Sequence, residues 1–271
     1  MKISVSIVFL CIIMMFMSCQ GNLDVGSIHK KNVVTIAGST SVMPFSEKLA
    51  EHFMVDHPDY AIDVQGGGST AGIQACINNT VQIGMSSRQL KEEEMVLKEI
   101  VVCYDGISII VHPSNPIENL TKKQIKDIFG GRIKNWKELG WVDRRIDAVT
   151  REEGSGTRGS FEELIMKSDD IDDGIMVQDS NGSVKEVVAT DPYAIGYVSL
   201  GLVDKRVKAL SVDGIVPSIK NIRNKKYRII RPFLYLTKEE PRGSVKAFVD
   251  FVLSGDGQKT LKKEGLIGIN D

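Results

Sequence analysis

Three short stretches of the chain combine glycine and hydroxyl side chains where an apolar, strand-like run gives way to an amphipathic one. They are Ala37-Gly38-Ser39-Thr40-Ser41, Gln65-Gly66-Gly67-Gly68-Ser69-Thr70-Ala71-Gly72 and Thr150-Arg151-Glu152-Glu153-Gly154-Ser155-Gly156-Thr157-Arg158-Gly159. Glycine lets the backbone approach a ligand, hydroxyls donate hydrogen bonds, and the unpaired N–H groups of a first helical turn point the same way. Each stretch therefore suits a small oxyanion. The first reads equally as an ordinary helix N-cap, for which Ser and Thr are preferred. The second carries more glycine than a cap or tight turn requires, and it lacks the Gly-Lys-Ser/Thr of a nucleotide P-loop. In the third, Arg151 adds a permanent charge with planar, two-pronged geometry that matches a tetrahedral oxyanion, and Glu153 is spaced to orient that guanidinium. Ser155, the Gly156 N–H and Thr157 add donors at the helix start. A fourth stretch, Ile83-Gly84-Met85-Ser86-Ser87-Arg88, offers Ser86 and Ser87 as further hydroxyls, with Arg88 read as a structural partner of nearby carbonyls.

The elements that must present these turns alternate along the chain. Strand candidates include 33–37, 62–65, 81–85, 107–112, 145–150, 194–199 and 228–236; helix candidates include 42–56, 71–79, 91–98, 122–129, 159–166, 183–191 and 243–254. This is the pattern of an α/β protein with largely parallel sheets. In such sheets the strand-to-helix turns gather at the carboxyl ends of the strands, where ligands bind. Beyond an N-terminal leader, about 250 residues remain, more than one core usually organises, so two lobes are expected. The segment Asp105 to Pro116 suits a crossing between lobes, and a second crossing is expected near Lys225 to Pro232.

The N-terminus reads as an export signal: Lys2, an apolar run from Ile3 to Met17, then Ser18-Cys19-Gln20-Gly21-Asn22. Residues 1–18 are expected to be cleaved. Cys19 sits where bacterial lipoprotein signals place the lipidated cysteine, with 19–31 as a polar tether, which predicts a membrane-anchored, extracytoplasmic protein. The formal net charge of −1 shows no basic excess of the kind that marks a nucleic-acid binder. The four histidines, His29, His52, His57 and His112, have neither metal-ligand spacing nor partners around a nucleophile, and no Gly-x-Ser-x-Gly elbow occurs. No metal or cofactor is expected. Cys76 and Cys103 read as two buried free thiols, since sequence alone does not bring them within bridging distance.

Taken in order, these motifs resemble the phosphate-binding proteins of bacterial phosphate ABC importers. The likeness runs from about Val33 to Ile267 and also includes Ile128-Phe129-Gly130-Gly131-Arg132-Ile133-Lys134-Asn135-Trp136, Ala194-Ile195-Gly196-Tyr197-Val198 and Arg231-Pro232-Phe233-Leu234-Tyr235. The resemblance implies a type II periplasmic-binding-protein fold: two lobes, each a mixed, mainly parallel sheet flanked by helices, joined by a two-segment hinge. Lobe I would comprise 32–106 and 228–271, and lobe II 107–227. It further implies phosphate ligands at Thr40, Ser41, Ser69, Arg151, Ser155, Gly156 and Thr157, with Ser39, Thr70, Ser86 and Ser87 as additional candidates and Glu153 as the group that orients Arg151 or accepts the phosphate proton. Some family members carry an aspartate near Ser87, and this chain does not. The implied partners are inorganic phosphate and the permease subunits of an importer, with the receptor monomeric. Competing readings are a serine-based phosphatase-like hydrolase, a surface anion sensor of the same fold, and a tungstate or molybdate receptor.

Overall fold

The computed structural model describes residues 32–271; the expected export signal and tether, with Cys19, lie outside the described residues. One sheet organises the chain. Strands β1 (Asn32–Gly38), β2 (Tyr60–Gly66) and β3 (Ile83–Ser86) run parallel, with helix α1 (Met43–Asp56) after β1 and α2 (Ser69–Ile77) after β2. In β1 the inward residues Val34 and Ile36 are fully buried while their neighbours are not, the period-2 pattern of a strand against a core. Strand β4 (Lys98–Val111) is the longest. After it come β5 (Asn119–Leu120), α3 (Lys122–Phe129), β6 (Asp147–Arg151), α4 (Gly156–Phe161), β7 (Met176–Gln178), α5 (Asn181–Thr190) and β8 (Ala194–Ser199). The remainder is β9 (Lys208–Ala209), β10 (Ser211–Val212), α6 (Ile219–Arg223), β11 (Ile230–Thr237), α7 (Gly243–Leu253) and α8 (Gly255–Lys263).

The strand order is β2-β1-β3-β11-β4-β8-β6-β7, with β9 also on β4. Residues 98–106 of β4 pair antiparallel with β11, and residues 107–111 pair antiparallel with β8. A single strand thus joins two half-sheets, and the change of partner falls between Gly106 and Ile107. The sheet is more mixed than the largely parallel one expected, because β4 and β11 both carry the chain back across it. Each half has its own core. One is built on Phe45, Leu49, Phe53, Phe233, Tyr235 and Phe248, the other on Phe129, Trp136, Phe161 and Tyr197. In the second, the Phe161 and Tyr197 rings stack at 4.0 Å.

Two local expectations fail for identifiable reasons. Residues 91–98 form only a short turn at Glu92–Glu94 before β4 begins at Lys98. The Glu94 carboxylate is drawn back to the Lys91 N–H and the Arg88 guanidinium, which closes the turn instead of propagating a helix. Helix 159–166 starts earlier, at Gly156, and relaxes into a π-turn over Glu162–Met166. Cys76 and Cys103 are free and buried. Cys76 packs with Leu234 and Leu236, Cys103 with Phe233 and Tyr235, so they lie on opposite faces of the sheet.

Candidate functional site

The strand-to-helix turns after β1, β2, β3 and β6 meet at the carboxyl edges of the two half-sheets. Helix α4 begins with the Ser155 hydroxyl accepting from the Arg158 N–H, the N-cap arrangement the Ser-Gly-Thr sequence favours. Its first residue, Gly156, lies against the opposite half: a β-carbon there would sit 2.2 Å from Ser69 Oγ and 2.6 Å from Ser87 Oγ. Gly68 has φ +90°, a conformation that favours glycine, and brings its backbone against Gly154 and Glu152. The Thr70 N–H donates to the Gly154 carbonyl at 3.0 Å, a main-chain bond from one half to the other.

Hydroxyl groups then gather in a small volume. Ser39 Oγ donates to Ser87 Oγ at 2.8 Å and accepts from the Ser41 N–H. Ser69 Oγ accepts from the Ser87 N–H at 3.1 Å. Across the junction, Ser41 Oγ and Thr157 Oγ1 are 2.8 Å apart, and the Ser160 hydroxyl donates to the Ser87 carbonyl. Arg151, only 1% exposed, donates through Nη2 to Thr40 Oγ1 at 3.3 Å and to the Asp179 carbonyl, and through Nε to the Gln178 carbonyl. Its remaining nitrogen, Nη1, is buried and has no acceptor among the described residues. A buried guanidinium N–H without a partner is costly, and an anion is the group that relieves it.

The structure thus brings together Ser39, Thr40, Ser41, Ser69, Ser87, Arg151, Gly156 and Thr157. Thr70 touches the cluster through its backbone, while its hydroxyl accepts from Arg88. Ser155 supplies the cap of α4. Ser86 stays out, because its hydroxyl turns back onto the Arg88 backbone. Glu153 is exposed and makes no hydrogen bond to Arg151; the adjacent Glu152 instead holds Arg151 Nε and Nη2 at 3.0 and 2.9 Å.

Sequence reasoning missed three buried residues that close the cluster from behind. Asn181, at the start of α5, donates to Ser41 Oγ at 2.8 Å. Arg231, on β11, donates to Ser41 Oγ at 3.1 Å and to the Ser87 carbonyl at 3.3 Å. Asp105, on β4, pairs with Arg231 at 3.0 Å. Burial pushes the Asp105 carboxyl up, opposed by the Arg231 charge, and pulls the Arg231 guanidinium down, opposed by Asp105. The one available signal was the Arg231-Pro232-Phe233 run, noted only as part of a longer resemblance. Among the described residues no group of three His, Cys, Asp or Glu could hold a metal ion, and no helix is long and apolar enough to cross a membrane.

Two half-sheets joined through one shared strand, with donors converging at their facing edges, define a solute-capturing protein of the periplasmic-binding-protein class. The family model for the PBP superfamily domain matches residues 25–256. A curated relative, phosphate-binding protein PstS of Bacillus subtilis strain 168, is 37% identical over 244 residues, covering 88% of this chain and 81% of the relative. PstS of Borreliella burgdorferi is 32% identical, covering 88% and 91%. A crystal structure from Clostridium perfringens, described as a phosphate ABC transporter substrate-binding protein with bound phosphate, is 45% identical and superposes with a TM-score of 0.85, covering 88% of this chain and all of that one. The chain belongs to this family of phosphate-binding proteins, with its type II fold.

Proposed function

We propose that this chain is a receptor that holds one inorganic phosphate ion between its two half-sheets and hands it to the permease subunits of an ABC importer. The observation that carries this reading is Arg151 Nη1, a buried cationic N–H with no acceptor among the described residues, beside a ring of hydroxyls. Thr40, Ser41, Ser69, Arg151, Gly156 and Thr157 are the proposed ligands, with Ser39 and Ser87 in the same cluster and Ser155 setting the helix start. Micromolar capture needs about 8 kcal/mol. Hydrogen bonds to a charged group contribute about 1.5 to 3 kcal/mol each, so this donor set leaves a margin for desolvating the anion and closing the halves. The protein acts as a carrier and performs no chemistry on its ligand.

Release requires the halves to part. The β4 partner change at Gly106–Ile107 and the return crossing before β11 are the proposed hinge, dividing lobe I (32–106 and 228–271) from lobe II (107–227). Titration calorimetry tests the central reading: phosphate is expected to give saturable heat in the presence of excess sulfate, and absent heat or equal affinity for sulfate would remove phosphate as the ligand. Lipid anchoring at Cys19 is a further part of the proposal. Mass spectrometry of the exported protein is expected to find Cys19 as the N-terminal residue carrying a diacylglyceryl group, and an unmodified Cys19 would rule the anchor out.

A further inference from the structure

The residues behind Ser41 form a closed circuit of hydrogen bonds. The Ser199 N–H donates to Asn181 Oδ1 at 3.3 Å, and Asn181 Nδ2 donates to Ser41 Oγ at 2.8 Å. Arg231 Nη2 donates both to Ser41 Oγ, at 3.1 Å, and to Asp105 Oδ2, at 3.0 Å, while Arg231 Nε donates to the same carboxylate oxygen at 3.1 Å. The Ser199 hydroxyl donates to Asp105 Oδ1 at 2.9 Å, which closes the circuit. Ser41, Asp105, Asn181, Ser199 and Arg231 are all at most 2% exposed.

The direction of every bond in this circuit is fixed. A backbone N–H and a guanidinium can only donate, and an ionised carboxylate can only accept. Because Ser199 N–H engages Asn181 Oδ1, the amide must present Nδ2 to Ser41. Ser41 Oγ therefore receives two donors, which occupy both of its lone pairs. Its remaining capacity is the O–H, which faces Thr157 Oγ1 at 2.8 Å. A Thr157 hydroxyl that accepts from Ser41 in turn has its own proton to give.

We propose that Asn181 and Arg231 are positioning residues that leave Ser41 only its proton to give, so that the hydroxyl, which faces Thr157 here, turns to an oxygen of the bound anion strictly as a donor. This rests on the phosphate reading above and adds a specificity rule to it: the oxygen facing Ser41 must be unprotonated, so a phosphate that keeps a proton turns it elsewhere. The circuit also spans the junction. Asn181 and Ser199 belong to the second half, and Ser41, Asp105 and Arg231 to the first, so Ser41 is fully committed as a donor only when the halves are together.

A double-mutant cycle read by phosphate calorimetry tests the idea on wild type, Asn181→Ala, Ser41→Ala and the combined variant. Asn181→Ala is expected to weaken phosphate at least about tenfold in the wild-type background and less than about twofold once Ser41 is gone. Arg231→Lys, which keeps the charge but loses the fork that serves Ser41 and Asp105 together, is expected to show the same dependence on Ser41. Equal losses in both backgrounds would overturn the proposal, since Asn181 would then touch the anion itself, act through Thr40 or Thr157, which its Nδ2 also approaches at 3.4 and 3.5 Å, or serve packing alone. If Ser41→Ala binds as tightly as wild type, the proposal falls while the rest of the phosphate site stands. No heat with the wild-type protein would instead bring down the phosphate reading on which it rests.

Discussion

Arg88 and Arg151 occupy comparable places, Arg88 two residues past the end of β3 and Arg151 at the end of β6, and each is almost fully buried. Their hydrogen bonds differ in kind. Arg88 meets both oxygens of the buried Glu94 at 2.7 and 2.8 Å and spends further N–H groups on the Gln89 carbonyl and the Thr70 hydroxyl. Arg151 is held by Glu152, whose side chain is about a third exposed, and by two carbonyls, and its Nη1 has no partner among the described residues. One guanidinium is consumed by the fold; the other is held in position with capacity in reserve. Burial of an arginine therefore does not mark a site. The donor left over after the protein has taken its share does.

The sharpest way to break this comparison is to remove each arginine in turn. Arg151→Ala is expected to weaken phosphate binding by at least about a hundredfold, measured by calorimetry, with a modest change in the melting temperature because Glu152 can turn to water. Arg88→Ala should do the reverse, costing about 3–5 kcal/mol of stability in denaturant unfolding by stranding Glu94, while shifting phosphate affinity less than about fivefold. Exchanged phenotypes would invert the assignment of site and scaffold. Gly156→Ala sharpens it next, since the added carbon would collide with Ser69 and Ser87 across the junction. Affinity should drop at least about tenfold with little loss of ligand-free stability, because the clash arises only when the halves close. Unchanged affinity would show that the closed contact is not the binding state.

The smallest effect concerns Glu94 alone. Burial pushes its carboxyl up, but the Arg88 guanidinium and the Lys91 N–H outweigh that and leave it below its ordinary value of 4.5. A depressed carboxyl contributes stability that is complete above the ordinary value and lost as pH falls through the folded one. The melting-temperature gap between wild type and Glu94→Gln should therefore hold from about pH 8 to about pH 5.5 and narrow below about pH 4. A gap that stays constant into acid would mean Arg88 does not depend on the Glu94 charge.

Much of the site was readable in the sequence because its parts are local. A Gly/Ser/Thr turn between a strand and a helix carries its own reasons for being there, and Arg151 with Ser155, Gly156 and Thr157 lies within one such turn. Where two neighbouring residues compete for one role, sequence failed. Glu152 and Glu153 differ by a single step along the turn that leaves β6, and that step sends one to Arg151 and the other to solvent. Ser86 and Ser87 divide in the same way, the first folded onto its own turn and the second into the cluster.

The sequence by itself determined the class of elements, the four turns, and the charge that an anion would meet, since each follows from side-chain chemistry and short-range spacing. Tertiary structure alone decided that β4 is one strand serving two half-sheets, and that Asn181 and Arg231, distant in the chain from Ser41, converge on its hydroxyl. The physical reason is that hydroxyl polarity is not a property of serine. It is set by which donors reach the oxygen first, and those arrive only when the chain has folded.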